Sequence, residues 1–269
     1  MKPFPPHTTG KFSEVSKPAE LERTSCYAIL GSAMSADSSF QPIRRCESPL
    51  LVPLIDISPL PGLYVIAADV SELDSEGLFW CAMEQVSEQR QQAVMALRNR
   101  LSRNLRLGAT LLLDTLLQRH GLYERDQSYE FGAHGKPGFA GHTHLTFSLS
   151  HSGTVAAASL MPLPFVSYHG DAWRQDAVHP CNYTGLGVDV QRRTRLREHV
   201  ADCVFTPAEM VQIQASSDPD AEFTRLWARH ESHVKATGQG VERPFPPIPS
   251  AATFFTREFG GYSLSVCLI

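Results

Sequence analysis

Hydrophobic positions along this chain fall into patterns that switch period several times. Leu63-Tyr64-Val65-Ile66-Ala67-Ala68-Asp69-Val70 is a β-branched and aromatic run that predicts a buried strand. From Ser87 to Gly121, Val94, Leu97, Leu101, Leu105, Leu112 and Leu116 recur at helical spacing. They predict one or two long helices ended by Gly121. Leu145–Ser152 alternates like a strand, turns at Gly153, and leaves Val155–Met161 as its partner. A strand is expected at Leu186–Val190, followed by helical segments at Leu196–Cys203, Pro207–Gln214 and Ala221–Thr237, the last stopped by Gly238 and Gly240. Two closing strands are expected at Thr253–Arg257 and Tyr262–Leu268. Gly135-Lys136-Pro137-Gly138 is turn chemistry.

This order predicts an α+β protein. Nine of the 19 prolines lie in the first 61 residues, which argues against long helices and central strands there. Residues 1–60 are therefore expected to form a Pro-rich, partly irregular extension, with Leu50–Ile57 apolar enough to dock on the body. A weak internal echo links Val65–Val70 with Gly185–Val190, each placing an aspartate (Asp69, Asp189) near a strand end. It suggests a pseudo-duplicated fold of two similar halves, 61–165 and 184–269, with the site at the seam. Residues 166–183 read as a linker or inserted loop.

Composition narrows the function. A formal charge of −4 and a pI near 6.3 argue against a nucleic-acid binder, which usually presents a basic stripe. The six cysteines show no paired spacing, the N-terminus has no apolar signal core, and no apolar run approaches a membrane span. A cytoplasmic protein, monomeric and without nucleic-acid or membrane partners, is the expectation. Lysine is scarce: after Lys17 only Lys136 and Lys235 remain. They mark positions where a compact ammonium is needed and an arginine fork would not serve.

Candidate chemistry concentrates in two segments, Gly187-Val188-Asp189-Val190-Gln191 and Trp227–Lys235. The first is an apolar strand presenting Asp189. In the second, Trp227, Glu231 and Lys235 stand at i, i+4 and i+8 on one helix face. Two carboxylates with a lysine one turn beyond suit a divalent cation holding a phosphate. Read singly, Glu231 and Lys235 could equally be a surface ion pair, and Asp189 a turn cap.

Four pieces in order, Gly135-Lys136-Pro137, Phe147–Ser152, Gly187–Val190, and Trp227-x-x-x-Glu231-Ser232-x-x-Lys235, give the chain from Leu63 to Ile269 its resemblance to the Sfp-type 4′-phosphopantetheinyl transferases. The resemblance implies Mg²⁺-dependent transfer of the phosphopantetheine arm of coenzyme A to a serine of an apo acyl or peptidyl carrier protein, releasing 3′,5′-ADP. It implies Asp189 and Glu231 as metal ligands, with Gln191 beside them where the family usually has an acid. It also implies Glu231 as proton acceptor and Lys235 on a phosphate. Lys136, Ser150, His151 and, among the arginines of the long helix, Arg103 would face coenzyme A. Trp227 is expected to pack in the core and His230 to lie off the ligand-facing stripe. The basic run Arg192, Arg193, Arg195 and Arg197 would steer an acidic carrier. The rival readings are a catalytically degenerate protein that only binds coenzyme A or a carrier, and a Mg²⁺-dependent phosphohydrolase.

Overall fold

The computed structural model describes residues 51–141, 144–163, 183–240 and 244–269. Most of the extension, and residues 166–182 of the segment read as a linker, lie outside these residues. Strands β1 (Pro53–Leu60), β2 (Leu63–Asp69), β5 (Leu145–Ser152) and β6 (Val155–Pro162) form one antiparallel sheet in the order β1-β2-β6-β5. A hairpin of β3 (Tyr129–Phe131) and β4 (Pro137–Phe139) stands apart. Strands β7 (Leu186–Arg192), β8 (Thr253–Phe259) and β9 (Tyr262–Leu268) form a second antiparallel sheet, ordered β7-β9-β8.

β2 and β6 are apolar throughout because both of their faces are covered. Ile66, Ala68, Ala156, Ala158 and Leu160 face a core shared with helix α3 (Arg100–Gln118). The alternate positions Leu63, Val65, Ala67, Val155 and Ala157 face Val188, Val190, Leu264 and Val266 of the second sheet. A strand flanked on both sides cannot show polar alternation, and Leu63–Ala68 does not.

Helix α6 (Pro219–Thr237) covers the outer face of the second sheet. Its ends follow from its residues. The Asp218 side chain accepts from the Ala221 amide at 3.2 Å, Pro219 opens the first turn, and Gly238 closes it at φ 70°. α4 (Glu198–Val204) and α5 (Pro207–Ala215) pack beside it, α5 opening on a Thr206/Glu209 capping box.

Where the structure departs from the sequence expectations, or chooses between them, the causes are physical. Pro53–Leu60 is a strand although it lies in the stretch expected to be irregular. It is an edge strand, where a missing N–H costs nothing to the ladder. Of the one or two helices expected over 87–121 there are two, α2 (Glu88–Met95) and α3, because the Asn99 side chain caps Ser102 and restarts the chain. Helix α1 (Glu76–Met83) has its apolar residues spread around its circumference, so no helical stripe announced it. No helix among the described residues is long and apolar enough to cross a membrane.

Candidate functional site

The two sheets meet where β5 runs beside β7. Alternate amides of β7, those pointing away from β9, are not paired with backbone carbonyls here. Val188, Val190 and Arg192 donate instead to the hydroxyls of Ser148, Ser150 and Ser152, at 3.0, 3.1 and 3.0 Å. The i, i+2 spacing of the serines puts three hydroxyls on one side of β5, and these stand in for a strand ladder.

On the other side, β7 lies against α6 at backbone contact. A Cβ on Gly187 would sit 1.9 Å from the Ser232 carbonyl oxygen and 2.5 Å from the Ala236 nitrogen. Only glycine allows the helix this close. Ser232 completes the contact, its hydroxyl 3.0 Å from that of Ser265 on β9. Asp189, two residues after Gly187, shares its face of the strand and so meets Lys235 one turn after Glu231.

A cleft of ≈ 580 Å³ opens at this junction. Asp189 is 5% exposed. Its Oδ1 accepts from Lys235 Nζ at 2.6 Å and from the Ser150 hydroxyl at 2.7 Å. Its Oδ2 is buried with no hydrogen-bond partner among the described residues, although a buried carboxylate oxygen ordinarily has one. Glu231 and Gln191 line the same cleft. An orphaned carboxylate oxygen in one cleft with a second carboxylate and an amide fits a hard cation such as Mg²⁺, which takes one or two carboxylates and fills its remaining positions with water and phosphate oxygens. Among the described residues there is no group of three or more His, Cys, Asp or Glu that could hold a metal ion.

Of the residues singled out in the sequence, Lys136, Ser150, His151, Asp189, Gln191, Glu231 and Lys235 line this one cleft, and Arg103 does not. Arg103 turns back to donate to the Leu97 carbonyl at 2.6 Å. Arg106, about one turn further along α3, and Arg90 of α2 line the cleft instead. The Arg90 guanidinium lies 4.0 Å over the Tyr129 ring and 3.7 Å from buried Glu124.

Lys136 differs from expectation in detail. Its ammonium donates to the carbonyls of Ala236 (2.9 Å) and Leu186 (3.2 Å), tying the last turn of α6 to the start of β7. Its aliphatic stem passes 3.1 Å from where a Cβ on Gly238 would sit. Burial lowers its pKa to about 8, against a small opposing effect of the Cys267 thiol. His151 reaches solvent, yet protein crowds its ring. That desolvation, then the cations of Lys235 and Arg106, hold it below the ordinary histidine range, so it meets the cleft as a neutral donor or acceptor.

Trp227 lines the cleft and also packs on Phe205, Phe223 and Phe245, so one ring serves core and wall. His230, 3% exposed, faces away, bonded to Glu209 at 2.6 Å and stacked 4.7 Å from Phe245. The echo between Asp69 and Asp189 is not chemical. Asp69 spends its oxygens on the Ser71 amide and hydroxyl and on Thr154, and these bonds outweigh burial to lower its pKa. The basic run after β7 is partly committed, with Arg193 paired to Asp218 at 2.6 Å.

Residues 185–267 match the family model described as the 4′-phosphopantetheinyl transferase superfamily. The chain is similar to an L-aminoadipate-semialdehyde dehydrogenase-phosphopantetheinyl transferase of Saccharomyces cerevisiae, 29% identical over 55% of this chain and 50% of that protein. It is similar to the 4′-phosphopantetheinyl transferase AcpT of Salmonella typhi, 29% identical over 51% of this chain and 65% of the relative. It is also similar to a 4′-phosphopantetheinyl transferase of Bacillus subtilis, 23% identical over 51% of this chain and 53% of the relative. The chain thus spans about half to two thirds of the length of the curated relatives it matches.

Proposed function

We infer that this chain, a member of the 4′-phosphopantetheinyl transferase superfamily by its residues 185–267, moves the phosphopantetheine arm of coenzyme A onto a serine of an acyl or peptidyl carrier protein. The observation that carries the reading is the buried, unpartnered Oδ2 of Asp189 in a cleft it shares with Glu231 and Gln191. These three residues would hold Mg²⁺, whose charge offsets that of the pyrophosphate and of the departing 3′,5′-ADP.

The residues of the chain divide the remaining work. Glu231, half-buried at the cleft wall, takes the proton of the incoming serine hydroxyl, whose oxygen forms the new bond to the β-phosphorus as the bond to 3′,5′-ADP breaks. Lys235 holds Asp189 and Ser150 with two of its N–H groups and offers the third to a phosphate oxygen. Arg106, His151 and Lys136 line the side where the nucleotide's anionic groups would lie. Exposed Arg192, Arg195 and Arg197 steer an acidic carrier by charge complementarity. Two similar halves, each a small sheet with one long helix (α3 and α6), would place this cleft at their seam. We take the protein to act as a cytoplasmic monomer.

Intact-mass measurement of an apo carrier incubated with the protein, coenzyme A and Mg²⁺ tests the reading. The carrier should gain one phosphopantetheinyl group as 3′,5′-ADP appears. Gln191 favours a second reading, since it withholds a negative charge from the site: a relative that binds coenzyme A or a carrier without transfer. Tight binding with no 3′,5′-ADP release would select that alternative, and phosphopantetheine freed without a carrier would indicate hydrolysis.

A further inference from the structure

We propose that Ser150 is a positioning residue that fixes Asp189 and Lys235 in their working arrangement, and that it makes no bond to coenzyme A. The inference rests on the transferase reading above and changes the role that the sequence suggested for this serine.

Hydrogen-bond capacity decides the role of this hydroxyl. A serine hydroxyl has one O–H to give and two lone pairs to receive with. Ser150 gives its O–H to Asp189 Oδ1 at 2.7 Å, and receives the Val190 amide at 3.1 Å and the Lys235 ammonium at 2.9 Å. All three capacities are used. The side chain is also buried, at 5% exposure, so no lone pair faces the cleft for a ligand.

Its three partners come from two elements that carry the site, β7 and α6. Asp189 Oδ1 is held by Ser150 and Lys235 together, which fixes the carboxylate's rotation and turns Oδ2 away from both. Without the hydroxyl, the Val190 amide loses its acceptor and the carboxylate loses one of its two anchors on Oδ1. Ser152 makes the control. It accepts from the Arg192 amide at 3.0 Å in the same ladder, and no bond links it to Asp189 or Lys235.

The test compares Ser150→Ala, Ser150→Thr and Ser152→Ala in the full chain. It reads coenzyme A affinity by calorimetry in EDTA without carrier, and kcat and Mg²⁺ half-saturation in the transfer assay. For Ser150→Ala, kcat should fall about tenfold or more and the Mg²⁺ requirement rise, as expected for losing a bond to a charged group. Coenzyme A affinity should stay within about twofold, because the hydroxyl makes no ligand bond to lose. Ser150→Thr, which keeps the hydroxyl, should recover most of kcat, and Ser152→Ala should behave as wild type. Three results would overturn the proposal: weakened coenzyme A binding at unchanged kcat, no change in either quantity, or an equal loss of kcat in Ser152→Ala. If the wild-type protein binds coenzyme A but modifies no carrier, the functional reading fails and amide exchange at Val190 decides the geometry. Faster exchange in Ser150→Ala then supports the positioning bond, and unchanged exchange refutes it.

Discussion

Replacing Gly187 with alanine drives a methyl group into the backbone of α6. The new carbon would start 1.9 Å from the Ser232 carbonyl oxygen, 2.5 Å from the Ala236 nitrogen and 3.0 Å from the Ser232 carbonyl carbon. All three are main-chain atoms, so no rotamer change relieves the contact. Reaching ordinary van der Waals separation requires β7 and α6 to part by about 1.5 Å. Overpacking of this kind costs about 1–3 kcal/mol, and loosening the Ser232–Ser265 hydroxyl contact adds about 1 kcal/mol. The expected total is about 2–4 kcal/mol, or a fall in Tm of about 4–16 °C for a domain of this size. Transfer activity should fall below what stability alone explains, because the 2.6 Å Lys235–Asp189 contact spans the same gap. Gly77, in α1, has nothing within 4 Å of a built Cβ. Gly77→Ala should therefore stabilise by about 0.4–1 kcal/mol through the unfolded chain. Thermal unfolding of the two variants is the assay. A Gly187→Ala protein melting within about 2 °C of wild type, less than 1 kcal/mol here, would refute the claim that helix and strand touch through this glycine.

Three other outcomes follow from the same geometry. Gln191→Glu should lower the Mg²⁺ concentration for half-maximal transfer by restoring a carboxylate to the cleft wall; an unchanged titration would remove Gln191 from the metal site. Arg106→Ala should raise the coenzyme A KM about tenfold or more, the loss of a charged hydrogen bond, while Arg103→Ala, which cuts only a tie to Leu97, should leave KM alone; the reverse pattern would favour Arg103 as the ligand. Because burial lowers the folded pKa of Lys136 to about 8, the folded protein sheds this proton before the unfolded chain does. Wild-type stability should thus gain from Lys136 as pH rises from about 8 toward about 10.4, at up to about 1.4 kcal/mol per pH unit. Chemical denaturation of Lys136→Met should lack that rise, and parallel pH profiles for the two proteins would contradict it.

The parts of this molecule that were legible in its sequence are those whose physics is local. A period-2 pattern reported β5 and period-3.6 patterns reported α3 and α6 because each buries a regular stripe, whereas β2 and β6 showed as continuous apolar runs because both of their faces are covered. Gly238 marked the end of α6 by capping chemistry that needs no tertiary partner, while the Asp218 cap and Pro219 start the helix two residues before the expected Ala221. Asp189, Glu231 and Lys235 could be named because a carboxylate-bearing strand and a helix with i, i+4 spacing are short-range patterns. What stayed hidden was three-dimensional. Whether Arg103 or Arg106, one turn apart on the same face of α3, reaches the cleft depends on where along the helix the cleft opens and on the tie of Arg103 to Leu97. The saturation of Ser150 depends on β7 lying beside β5, and the tie from Lys136 to Ala236 spans one hundred positions. β1 escaped notice because proline marks an edge strand and an irregular segment alike.

Asp189 carries the account. The most direct measurement is the rate at which Asp189→Asn, which keeps the side chain's shape but not its charge, modifies an apo carrier at saturating coenzyme A and Mg²⁺. The rate should fall about a hundredfold or more, the scale of losing metal-assisted charge neutralisation, with the fold intact. Carrier modification by Asp189→Asn at the wild-type rate would contradict the account.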